Sequence, residues 1–123
     1  MTAVRVENPT RGTTLGIHVA VAESWWSRLR GLLNRPPLIR GEGLLLRPCK
    51  AIHMRGMRYG IDVAFVDRND RVIALYHNLM PGRRTRWHWR AAAALELPAG
   101  TLHSAGTREG DVLTWTTVPG RKP

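Results

Sequence analysis

Cys49 and His53 stand four positions apart, a separation that sets both side chains on one side of a strand or of a helical turn. A thiol and an imidazole so placed could form a thiolate–imidazole pair or supply two ligands to a metal. The remaining ligands would have to come from His77, His103, Asp62 or Glu96, and no CxxC or HExxH spacing gathers them. The simpler reading is a buried cysteine beside a hydrogen-bonded histidine. Asp62 lies between Ile61 and Val63, and Glu96 between Leu95 and Leu97, so each acid interrupts an apolar run. Brought together in a cleft they could act as a general acid–base pair. Strand alternation, with each acid on the solvent face, accounts for them more simply, and Asp62 has Arg55 and Arg58 to pair with. Met54 and Met57 would suit a soft copper site, but methionine more often fills gaps in a core.

A second group of residues points to recognition rather than catalysis. RRTRWHWR, residues 83–90, follows directly on Pro81-Gly82. In an extended conformation Trp87 and Trp89 face one side, and Arg86, His88 and Arg90 face the other. With Arg83 and Arg84 this pattern suits bases stacked on indoles with phosphates on guanidiniums. It equally suits indoles at the headgroup level of an anionic membrane, or tryptophan and arginine anchors in an acidic protein groove. The competing reading has the indoles covering the open end of a barrel while the arginines are merely solvated. His53, Arg55 and Arg58 make segment 49–58 a second part of the expected binding surface.

Length and charge bound these options. A chain of 123 residues with 43% hydrophobic content reads as one domain, residues 1–123, able to bury a core without disulfides. Its single cysteine excludes an intramolecular disulfide framework and a cysteine-only zinc site. Neither a leader-like apolar segment at the N-terminus nor a bilayer-length apolar run is seen, so a cytoplasmic location is expected. Nineteen basic against nine acidic residues give +10, and without the four arginines of 83–90 the balance is still +6 (15 minus 9). Such a charge favours an anionic ligand or an acidic protein surface, nucleic acid among them. Only Lys50 and Lys122 are lysines; the arginine excess suits bidentate contacts to phosphate and carboxylate, and a GC-rich genome would produce it too. No P-loop, dinucleotide fingerprint, GxSxG elbow or calcium loop is present, and no cofactor is expected.

The elements that must position these residues are mostly strands. Val4 and Val6, then Leu15, Ile17, Val19 and Val21, alternate with polar neighbours on either side of Asn8–Gly12, which predicts a β-hairpin. Ser24 can cap a helix through about Asn34, with Trp25, Trp26, Leu29, Leu32 and Leu33 in one stripe, before Pro36-Pro37 stops it. Leu44–Leu46, Ile52–Met54 and Ile61–Val66 are short apolar stretches, and Asp67–Asp70 is a turn that makes 61–79 a hairpin. Ala91–Leu97 could be helical by its alanines, but Leu95-Glu96-Leu97-Pro98 alternates and Gly100 follows, so a strand is expected; Gly106 and Gly110 bracket a loop before a last strand at 112–118. The expected fold is a mainly β sandwich or partly closed barrel with one short amphipathic helix near the N-terminus.

Several stretches occur in the order of a known pattern: Arg30-Gly31-Leu32-Leu33, Gly41-Glu42-Gly43-Leu44-Leu45, Cys49-Lys50-Ala51-Ile52-His53 with Met57, Ile61 to Asp67, Leu95 to Gly100, and Gly110-Asp111. On these the chain resembles the prokaryotic family known as domain of unknown function 192, over about residues 21–115. The resemblance implies a compact mainly β domain with one helix near the start and brings no established activity, cofactor or catalytic residue. The commoner pattern has an aromatic-Trp-Met-Lys-Asn/Asp stretch where this chain has Ile52-His53-Met54-Arg55-Gly56, so a role for that tryptophan does not carry over to His53. The sequence therefore favours a non-catalytic binding module acting through loop 83–90 and segment 49–58. Its rival is a small enzyme or metal protein built on Cys49, His53 and Asp62.

Overall fold

In the computed structural model, which describes residues 2–23 and 36–119, seven strands form one mixed sheet. They are β1 (Ala3–Asn8), β2 (Thr13–Ala22), β3 (Glu42–Leu46), β4 (Ile61–Val66), β5 (Val72–Leu79), β6 (Ala93–Pro98) and β7 (Thr114–Val118), with a short helix α1 (Thr101–Ala105) between the last two. The spatial order is β5-β4-β6-β3-β2-β1-β7. The one parallel pair is β2 with β3; each of the others is antiparallel. Parallel neighbours need a long crossover, and residues 23–41 are that connection. The helix expected over 24–34 lies outside the described residues.

Both expected hairpins, the first from alternation and the second from the Asp67–Asp70 turn between apolar stretches, are present as β1–β2 and β4–β5. The stretch Ile52–Met54 does not become a ladder strand and contributes only a single bridge, His53 with Arg84. Gly100 and Gly106 flank α1 at φ 93° and 67°, a left-handed conformation that side chains with a Cβ resist. Five residues bounded this way carry too little periodicity to be read from sequence.

The sheet curls on itself without closing. Its edges β5 and β7 do not pair as a ladder, but residues at or just before their starts bond to one another: Val72 N donates to Asp111 O at 2.8 Å and Leu113 N to Asp70 O at 2.9 Å. The inner face buries Val6, Val19, Leu45, Leu95, Leu97 and Leu113 with Leu102 of α1. A second apolar layer lies on the other side of β3, β4, β5 and β6, formed by Leu44, Ile61, Val63, Phe65 and Ala74. Met54 and Ala91, from the two long loops, close over it. Phe65 is wholly buried, and burial of a side chain of that size contributes roughly 2–3 kcal/mol. Loops 47–60 and 80–92 are thus packed on a β surface, which is what holds the candidate residues in place.

Candidate functional site

The two candidate segments run side by side. Thr85 N donates to Ile52 O at 2.8 Å, Met54 N to Arg83 O at 2.7 Å and His88 N to Lys50 O at 2.8 Å, a short irregular antiparallel ribbon. Thr85 is its buried pin: the hydroxyl accepts from Ile52 N at 2.9 Å and donates to Arg86 O at 2.9 Å. At the far end Lys50 Nζ holds the carbonyls of Trp89 and Ala91 at 2.7 and 2.8 Å. Sequence reading missed both anchors. The available signal was Thr85 itself, a small hydroxyl in an otherwise cationic and aromatic run.

Local turn chemistry sets the direction of the run. Pro81 and Gly82, the latter at φ 81°, occupy the centre of a turn closed by Arg83 N to Met80 O at 3.1 Å. That is the Pro-Gly order a type II turn requires. The chain is then extended through Trp87 and turns again at 88–91, where Ala91 N donates to His88 O at 3.0 Å. Residues 83–90 are therefore extended over their first part only, and Trp89 sits in a turn.

The indoles do not cover the barrel. Trp87 and Trp89 are 57% and 79% exposed, and they meet edge to face with ring centroids 5.7 Å apart at 71°. The residue between them goes the other way. His88 packs on Phe65 with ring centroids at 4.6 Å, and its Nε2 lies 2.7 Å from the Tyr76 hydroxyl. Tyr76 also accepts from Arg86 N at 3.2 Å, so its proton is directed at His88. Burial pushes the His88 imidazole below its ordinary value, Arg86 adds to this and Glu109 opposes it, which suits a neutral ring accepting that proton. The side opposite the indoles is thus part anchor, and its histidine is not a free cation.

Beside Trp87 is a cleft of about 580 Å³, with Ala51, Ile52 and His53 on one side and Arg84, Thr85 and Arg86 on the other. No Asp or Glu occurs between Gly43 and Ile61 or between Arg71 and Leu95, while those two stretches hold eight basic residues, four in each. Accordingly Arg55, Arg58, Arg83, Arg84, Arg86 and Arg90 form no salt bridge among the described residues. His53 is exposed at the cleft.

The candidates for catalysis are placed differently. The half-buried Cys49 thiol donates to Ala51 O at 3.2 Å. Among the described residues no three His, Cys, Asp or Glu side chains gather as a metal site, and His77 and His103 are exposed on β5 and α1. Asp62 and Glu96 are both buried, contrary to the solvent-face expectation, because β4 and β6 are interior strands covered on both sides. They do not form a pair. Asp62 is opposite Leu97 and Glu96 is opposite Val63, so the two acids lie on opposite faces of the sheet. Rather than meeting Arg55 or Arg58, Asp62 accepts from Asn78 N at 2.8 Å and Leu102 N at 2.9 Å, tying a β5 bulge to α1. Glu96 is raised to about 7 by burial.

A family model described as an uncharacterised conserved family, domain of unknown function 192, matches residues 6–115. The chain belongs to that family. The match covers the ribbon, β4, β6 and α1, beyond the 21–115 of the sequence resemblance at its N-terminal side. UPF0127 protein PF1050 of Pyrococcus furiosus is 32% identical over 111 residues, which is 88% of this chain and 95% of that protein. A crystal structure of a protein of unknown function from Novosphingobium aromaticivorans superposes with TM-score 0.79 at 24% identity, covering 92% of this chain and 84% of the other. One from Sinorhizobium meliloti, provisionally assigned as a transcription regulator, gives 0.76 at 24% identity, with coverage of 93% and 92%. At that identity the likeness carries the fold alone. Family membership establishes an uncharacterised mainly β domain, and among the described residues no helix is long and apolar enough to cross a membrane.

Proposed function

We propose that this family member is a non-catalytic binding module that holds an anionic partner on the ribbon formed by 49–58 and 83–90. The observation that carries the reading is a set of arginines without salt-bridge partners among the described residues, beside two exposed indoles on a backbone pinned by Thr85 and Lys50. A pinned backbone lowers the ordering cost of binding, and exposed aromatic and arginine side chains are the usual anchors of recognition surfaces. The acids argue the same way. Asp62 is engaged by two backbone amides inside the fold, so its carboxylate is committed to tying β5 to α1.

A protein of charge +10 binds polyanions nonspecifically, so the test compares two double variants of equal charge. Arg84→Ala with Arg86→Ala removes two cations from the ribbon; Arg68→Ala with Arg108→Ala removes two from exposed positions elsewhere. The salt needed to elute each from immobilised heparin or polyphosphate is measured. The ribbon variant should elute at clearly lower salt than the control variant. Equal elution would mean that only net charge is being read and that the ribbon is not the site.

A further inference from the structure

We propose that the anionic partner is single-stranded nucleic acid, with a base stacked on Trp87 in the cleft, the next on Trp89, and phosphates held by Arg84, Arg86 and Arg90. This rests on the ribbon being the binding surface. The cleft is lined by the apolar Ala51 and Ile52, by the Trp87 indole, and by Arg84 and Arg86. Filling it well takes a flat ring and an anion in the same ligand. A nucleotide chain supplies both at every step, whereas an acidic peptide supplies the anions and leaves the indole faces wet.

The angle between the rings selects the form of nucleic acid. Trp87 and Trp89 are inclined at 71°, so their free faces look in different directions. Successive bases can lie on them only if the strand turns between one base and the next. A single strand does so readily, and a duplex, whose bases are already stacked on one another, does not. Arg86 and Arg90, on either side of the two indoles in the chain, fit the same polymer, and no carboxylate within 71–95 repels its phosphates.

The test uses fluorescence anisotropy of labelled oligonucleotides of about 12 nucleotides: single-stranded RNA and DNA, the duplex, and an abasic strand of the same charge. Titrations are run at about 50 and 200 mM salt. Single strands should bind more tightly than the duplex or the abasic strand, with a log–log salt slope of about −0.7 per phosphate contacted. Trp87→Ala with Trp89→Ala should weaken single-strand binding on the order of tenfold per indole and leave abasic binding unchanged. Trp87→Phe, which keeps a smaller ring, should fall between. Equal affinity for base-bearing and abasic strands, unaffected by the indole variants, would overturn stacking while leaving the anionic surface intact. Oligonucleotides that fail to bind a protein whose heparin elution still depends on Arg84 and Arg86 would overturn nucleic acid and turn attention to an acidic protein. Loss of both dependences would remove the ribbon itself.

Discussion

Two parts of this molecule use arginine in opposite ways. At the corner where 110–113 meets 70–72, Arg11 grips Asp111 through Nη2 to Oδ1 at 3.0 Å and Nε to Oδ2 at 3.1 Å. Asn8 Nδ2 and Arg108 N add bonds to the same carboxylate, each at 2.9 Å. On the ribbon no carboxylate occurs in either strand-like segment, and the arginines stand in solvent. The corner charge is spent within the chain, holding 108–111 against Asn8 and Arg11, while the ribbon arginines have no salt bridge among the described residues. The difference teaches that burial and partners, more than residue type, decide whether an ionisable group here serves stability or recognition.

The sharpest break of that contrast is at Glu96, a buried acid raised from 4.5 to about 7 by burial. A raised carboxyl stabilises the fold while protonated: its contribution is complete below about 4.5 and is lost as pH rises through about 7. Glu96→Gln should therefore be more stable than the parent at pH 8, by roughly 3 kcal/mol, and nearly equal to it at acid pH. Urea unfolding across that range is the measurement, and a gain that does not depend on pH would contradict a buried titrating acid.

Asp111→Ala comes next. It strands Asn8 and the amide of Arg108 at the corner and should cost roughly 2–3 kcal/mol, with heparin elution little changed. The sign with pH is opposite to that of Glu96. Arg11 in first place, with Asn8 and Arg108, holds the Asp111 carboxyl down at about 2 against desolvation. Its contribution is therefore present above its ordinary 3.8 and is lost as pH falls through about 2. Denaturant melts of parent and variant should converge at the acid end.

Smaller effects belong to the ribbon. Tyr76→Phe removes the hydroxyl shared by His88 and Arg86 and should cost about 1 kcal/mol. It should also alter tryptophan emission, since His88 fixes the residues on either side of it. Trp87→Ala with Trp89→Ala is expected to shift stability least, by about 0.5 kcal/mol or less per site, because both rings are exposed. A large loss of stability there would mean that the indoles serve packing after all.

By itself the sequence determined most of the strands, because alternation over 4–21 and short apolar runs bounded by turn formers, as at 61–79, are local records of strand and turn. It also singled out 83–90, since clustered arginine and tryptophan are unusual wherever they fold. It placed Asp62 and Glu96 wrongly, because a solvent-face acid and a buried one make the same interruption in an apolar run. Only the sheet order, with β4 and β6 as interior strands, decided that both are inside and on opposite faces. The tertiary structure alone brought Thr85 to Ile52 and Lys50 to Trp89, contacts across 33 and 39 positions. Such pairings follow from how two loops pack over one apolar face, and nothing in the residues nearby in the chain records them.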